Sequence, residues 1–205
     1  IPLELPPDLL PAALARLHVA HPETRVQAQH ASTAVQLDAL RTGELDVGLV
    51  RERPTGPDLD ATLAVEERLG VLLARAQAEA VATDRGVRLD ALSTFDWVGF
   101  PRSGSPAWFD ELTAIMRSHG VSPGAEAPAG EELIAEVKLA SVASGRAFAF
   151  APPHWSQPMP DDVSWYPLVG SPLVRRTWVV WAADSRRLDV ARFVDALQDG
   201  SATEA

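Results

Sequence analysis

Residues 32–50, STAVQLDALRTGELDVGLV, constrain the fold more than any other stretch of this chain. Val35, Leu37 and Leu40 fall on the inner side of a helix, Ser32 or Thr33 can cap its start, and Gly43 can end it. The chain then passes directly into DVGLV, a short β-rich run that reads as buried on both sides. A strand of that kind, fed by a helix, needs a sheet with helices packed over it. The residues before it carry the same order. PPDLLPAALARL spaces Leu10, Leu14 and Leu17 as a helix with Asp8 as its candidate N-cap. HPETRV breaks that helix, because a residue before proline is pushed toward extended geometry, and RVQAQH alternates as a strand. The order α-β-α-β predicts a parallel sheet with helical crossovers.

Beyond Val50 the polar, Pro- and Gly-bearing stretch RERPTGPDLDA reads as a loop, and EERLGVLLAR as a further buried strand. AQAEAVATDRG is a helix or connector, and DWVGFP is a strand that stops at Pro101. PAWFDELTAIMRSHG places Phe109, Leu112, Ile115 and Met116 on one helical face, closed by Gly120. EELIAEVKLASVASG reads as a second such helix, with Ile134, Val137 and Val142 inward and Gly145 ending it. RAFAFAPP, SWYPLV and RTWVVWAA read as strands and DVARFVDALQ as a closing helix, with DGSATEA a frayed tail.

Composition removes several functions. The chain has 205 residues, no cysteine, a hydrophobic fraction of 46% and a formal net charge of −10. Disulfides, thiolate nucleophiles and cysteine-ligated zinc are therefore out of reach. With one lysine, Lys138, and a strong acidic excess, these residues make a poor direct grip on DNA, which is a polyanion. No apolar run is long enough to span a bilayer. His18 and His21 are three apart near a helix end but lack a third ligand, and His30, His119 and His154 are scattered, so no metal is expected, and no cofactor either. GFPRSGSPA is not a nucleophile elbow, and neither a P-loop nor a dinucleotide fingerprint occurs, so the chain is read as a non-enzyme.

Five stretches in order resemble the effector-binding region of LysR-type transcriptional regulators. They are LLPAALARLHVAHPETRV, LDALRTGELDVGLV, EERLGVLLAR, EELIAEVKLASVASGRAFAFAPP and RRTWVVWAADSRRLDVARFVDAL. The resemblance implies an α/β fold of the type 2 periplasmic-binding-protein kind. Two Rossmann-like subdomains, 1–73 with 175–205 and 74–174, would be joined by two crossover strands, with a ligand cleft between them. It further implies a small-molecule effector, assembly as a homodimer or tetramer, a cytoplasmic location without membrane contact, and DNA binding through an N-terminal winged helix-turn-helix domain. That domain and the family's opening strand have no counterpart in these residues, so the chain is read as a piece of a longer protein. RSGSPAWFDEL resembles members that bind small aromatic or dicarboxylic acids, which points to an organic acid. A solute-binding protein of a transport system is the alternative with the same lobes.

Candidate effector contacts sit where strands end and helices begin, the usual place for sites in α/β sheets. Ser32 and Thr33 offer two hydroxyls where capping needs one, beside helix amides that favour an anion. Thr33→Val is accordingly expected to leave stability nearly unchanged. Phe100, Pro101, Arg102, Ser103 and Ser105 form the second group, in which Arg102 suits a carboxylate. That stretch also reads as a plain strand-to-helix turn. Arg51 comes directly after the DVGLV strand and either faces the ligand or pairs with Glu52, Glu66 or Glu67. Glu4 precedes the first helix, and Pro152 ends the AFAFA strand at the rim or simply terminates it. Trp97, Trp178 and Trp181 are read as strand-core residues, and Trp108 and Trp155 as core by default, though near the cleft.

Overall fold

The computed structural model describes residues 1–125, 133–155 and 158–198; Glu131, Glu132 and the DGSATEA tail lie outside them. In chain order the elements open with α1 (Leu9–Ala20), α2 (Thr33–Thr42), β1 (Val47–Val50), β2 (Leu59–Arg68) and β3 (Gly70–Ala74). Then come α3 (Arg75–Val81), a small hairpin of β4 (Ala82–Thr83) and β5 (Gly86–Val87), β6 (Asp96–Trp97) and α4 (Pro106–Ser118). The chain closes with α5 (Ala135–Ala143), β7 (Ala147–Ala151), β8 (Val163–Pro167), β9 (Val174–Ala182) and α6 (Leu188–Gln198). Two compact units result, Ile1–Glu66 with Arg176–Ala205, and Glu67–Arg175. The chain passes from one unit to the other within β2 and within β9.

The first unit holds a sheet of order β1-β9-β2. Alternate residues of β1 and β9 go to opposite faces, as the period of two requires. Leu49 and Val179 pack under α1 and α6 with Leu9, Ala13, Leu17, Val194 and Leu197. Val50 and Val180 pack under α2 with Leu37 and Leu40. Both faces of β1 are thus covered, which is why DVGLV carries no polar alternation.

The second unit repeats the solution with a sheet of order β6-β7-β3-β8. Val71, Leu73, Phe148 and Phe150 meet Leu112 and Met116 of α4 on one face, and Leu72, Ala149 and Ala151 meet Leu139 and Val142 of α5 on the other. Gly70 lets β8 approach, since a Cβ there would stand 2.4 Å from the Trp165 ring and from the Tyr166 carbonyl.

Several expectations need correction. The ladders β1–β9, β3–β7 and β3–β8 are antiparallel and β6–β7 is parallel, so the second unit's sheet is mixed, and in the first unit β9, returning from the other unit, enters reversed. RVQAQH belongs to no strand ladder. DWVGFP is a strand only over Asp96–Trp97. On α1 the buried face is Leu9, Ala13 and Leu17, and Asp8 makes no side-chain cap bond. On α2, Val35 is 58% exposed, and Gln36 is buried instead because its amide serves two backbone groups. On α5, Ile134 and Val137 are exposed and Lys138 is buried, its ammonium 3.4 Å from the Phe150 carbonyl and 5.2 Å from the centre of the Trp155 ring. A long aliphatic stem makes that burial possible.

Candidate functional site

In the first unit α2 starts at the carboxyl end of β1. Ser32 is the N-cap residue and its hydroxyl accepts from the Val35 amide at 3.4 Å, while Gly43, with φ of +78°, closes the helix. Thr33 is 2% exposed, and its hydroxyl accepts the Arg51 amide at 3.1 Å. Three residues further along α2, Gln36 accepts the Leu49 amide at 3.0 Å and donates to the Ala31 carbonyl at 2.8 Å. The outer edge of β1 is therefore bonded by side chains of α2 rather than by another strand.

Arg51 gathers this region. Its guanidinium donates to the carbonyls of Leu3 and Glu4, at 2.7 and 2.9 Å, and to the Thr177 hydroxyl on β9. Only 8% of Arg51 is exposed. Glu66 and Glu67, proposed from sequence as its partners, pair instead with Arg176 and Arg175. Glu4 adopts a left-handed φ of +56°, which is costly for a residue with a Cβ and turns its carbonyl to the arginine. Glu4, Ser32, Thr33 and Arg51 are thus brought together. Thr177, fully buried, completes the group and was not picked from the sequence. Its signal lay in the period of two along β9, where Arg175, Thr177 and Val179 are all buried.

In the second unit the parallel register Trp97↔Phe148 puts the segments leaving β6 and β7 at one end of the sheet. Phe100 to Ser105 and Pro152 share that end. Phe100 belongs to the core, edge-on to Trp97 at 6.3 Å and to Phe109 at 5.7 Å. Pro101 and Ser105 are buried and Ser103 is exposed. Arg102 is half-exposed and binds Asp110 through two bonds of 2.8 and 2.7 Å. The hydrogen bonds and charge of that guanidinium hold the Asp110 carboxyl below its usual range. Ser105 starts α4 without a side-chain cap bond. Trp108 is core, on the buried side of α4, and Trp155 packs beside Leu139 and Val142.

Chemically, the first group offers the Ser32 hydroxyl beside first-turn amides of α2 that have no carbonyl partner within the helix, a setting that suits an anion. The second offers a half-exposed guanidinium, paired with Asp110, and one exposed hydroxyl, that of Ser103. Among the described residues no cluster of three metal-binding side chains occurs.

Residues 2–202 match the family model of the LysR substrate binding domain. The chain is 27% identical over 161 residues to the HTH-type transcriptional regulator BenM of Acinetobacter baylyi, covering 78% of this chain and 52% of that protein. The BenM effector binding domain with its effector benzoate superposes with a TM-score of 0.76 at 22% identity, over 93% of this chain and 85% of that one. Full-length CbnR complexed with its target DNA gives 0.73 at 23% identity, over 93% and 65%. At such identities these structures establish the fold, the mixed α/β, type 2 periplasmic-binding-protein-like one. The chain spans about half the length of the curated BenM relative. On its match over nearly every residue, the chain belongs to the LysR substrate binding domain family.

Proposed function

We propose that this chain is the effector-sensing and oligomerisation part of a LysR-type bacterial transcriptional regulator, working in the cytoplasm and reaching DNA through a separate helix-turn-helix domain. The observation that carries the sensing role is the start of α2, where Ser32 and first-turn amides without a carbonyl partner in the helix stand at the carboxyl end of β1. Arg51, Thr177 and the carbonyls of Leu3 and Glu4 hold that end rigid. A rigid donor array binds an anion at low entropic cost. The BenM relative has benzoate as its effector, and we assign a small organic acid to this chain as well. Ser32 and Thr33, supported by Glu4 and Arg51, are its contacts in the first unit. Arg102, Ser103 and Ser105, with Phe100, Pro101 and Pro152, are the candidate acid contacts of the second unit, assigned separately. Binding shifts a conformational equilibrium by no more than the acid's difference in affinity for the two states. The protein carries no catalytic role in this scheme, and its relatives are regulators rather than transport components.

Calorimetric titration with benzoate and a set of small dicarboxylates tests the assignment. Arg102→Ala and Ser32→Ala are expected to weaken the best ligand by about tenfold each, the cost of one charge-assisted bond. Equal affinity in both variants and the parent chain removes these residues from the site.

A further inference from the structure

In the first unit, Arg53 and Trp178 place a cation on a ring beside the carboxyl end of β1. Val50↔Trp178 is the last pair of the β1–β9 ladder, so Trp178 stands next to the point where the chain leaves β1. The period of two puts its side chain on the face opposite Thr177 and in line with Val180, the face that α2 covers. The ring packs against the cluster of Leu37, Leu40 and Val50 and stays half-buried. α2 begins at this same end, since Thr33, its first residue, accepts the Arg51 amide. The start of α2 and Trp178 therefore share one end of one face of the sheet.

Two arginines follow β1 and are used differently. Arg51 turns to the Thr177 side, where it is buried and donates to the Thr177 hydroxyl and to the Leu3 and Glu4 carbonyls. Arg53 is exposed, and its guanidinium carbon lies 5.4 Å from the centre of the Trp178 ring. Among the described residues it makes no hydrogen bond or ion pair. Arg41, Arg88, Arg102 and Arg187, by contrast, are each held by an aspartate. A ring fixes a guanidinium through its face and leaves the N–H groups along its edge open. Pro54 adds a second restraint, because the residue before a proline is confined to extended backbone. Arg53 is thus an anion receptor set in place before any anion arrives, which lowers the entropic cost of binding.

We infer that, within the sensing role proposed above and resting on it, Arg53 is the cation that takes the acid's carboxylate in the first unit, and Trp178 is the wall along which the acid's body lies. Helix amides and the Ser32 hydroxyl carry only partial charge. The Arg51 guanidinium is taken up by the protein's own oxygens. The full charge that answers a carboxylate on this face is therefore that of Arg53. A carboxylate in the plane of a guanidinium accepts two parallel bonds. Its body then extends beside the half-buried ring, where a flat apolar group gains contact and a bare small acid gains none. The ligand class is a carboxylate joined to a flat apolar body.

The probes are benzoate, acetate and benzamide, which separate the charge from the ring. Each is titrated calorimetrically and by the indole N–H resonance of Trp178, assigned through its loss in Trp178→Phe. Benzoate is expected to bind the parent chain and move that resonance, and acetate to bind about tenfold more weakly or less. Arg53→Gln is expected to weaken benzoate by about tenfold or more and to leave the weaker binding of benzamide unchanged. Arg53→Lys, which keeps the charge and loses the fork, is expected to recover only part of the loss. Because Arg53 is exposed, both variants are expected to melt with the parent when no ligand is present. Benzoate binding that Ser32→Ala weakens and Arg53→Gln does not overturns the role of Arg53 and spares the sensing role. Benzamide weakened as much as benzoate, or benzoate bound with the Trp178 resonance unmoved, overturns it as well. A parent chain that binds neither benzoate nor acetate overturns both.

Discussion

At Thr33 the buried hydroxyl accepts the Arg51 amide, and this alters the prediction that its sequence position suggests. A spare hydroxyl at a helix start can be removed without consequence, but one that satisfies a buried N–H cannot. Thr33→Val is therefore expected to destabilise the chain by about 1–3 kcal/mol, and Thr33→Ser to restore most of the loss. Urea denaturation measures both; a valine variant as stable as the parent contradicts this role. Arg51 carries the same lesson. Its place after a strand signals polarity at the end of a sheet, whereas its carbonyl partners Leu3 and Glu4 lie far off in sequence and left no pattern to read.

Among the elements, β2 and β9 carry two ion pairs in succession, and burial separates them sharply. Arg175 and Glu67 are each 8% exposed, while Arg176 and Glu66 are 40% and 46% exposed. Removing one partner of the buried pair strands a charge, so Arg175→Ala is expected to cost about 3–5 kcal/mol. Arg176→Ala is expected to cost no more than about 1 kcal/mol, because water screens that pair. Comparable losses in denaturant titrations of the two variants contradict the difference. The sequence showed where most elements lie, since apolar runs such as AFAFA and GVLLA and the ends at Gly43 and Gly145 are local signals. It showed less of which face turns inward. Gln36 and Lys138 are buried by tertiary partners, the β1 edge and the Phe150 carbonyl, and those partners are invisible to periodicity. Strand direction was hidden for the same reason: β9 pairs with β1 across more than a hundred intervening residues.

For the whole molecule, the order of five weak motifs identified the family, although each alone is little more than hydrophobic spacing with a glycine, aspartate or proline. The candidate contacts gathered into two groups, one in each unit, because chain segments at the carboxyl ends of strands converge there. Acid tolerance also belongs to this scale. Asp58, Asp90, Asp110 and Asp189 are all held below the ordinary carboxylate range, chiefly by hydrogen bonds from Arg41, Arg88, Arg102 and Arg187. Their contribution to stability is present above the unfolded carboxylate pKa and is lost as pH falls through the lowered folded values. A thermal midpoint that declines as pH falls below about 4 is expected, and a midpoint that rises there contradicts it. The most direct measurement of the sensing claim is a thermal-shift series against organic acids, each at rising concentration. The account predicts that at least one acid raises the midpoint progressively, as mass action on the folded state requires, and that Arg102→Ala moves this response to higher concentration. Midpoints that stay flat across every acid contradict it.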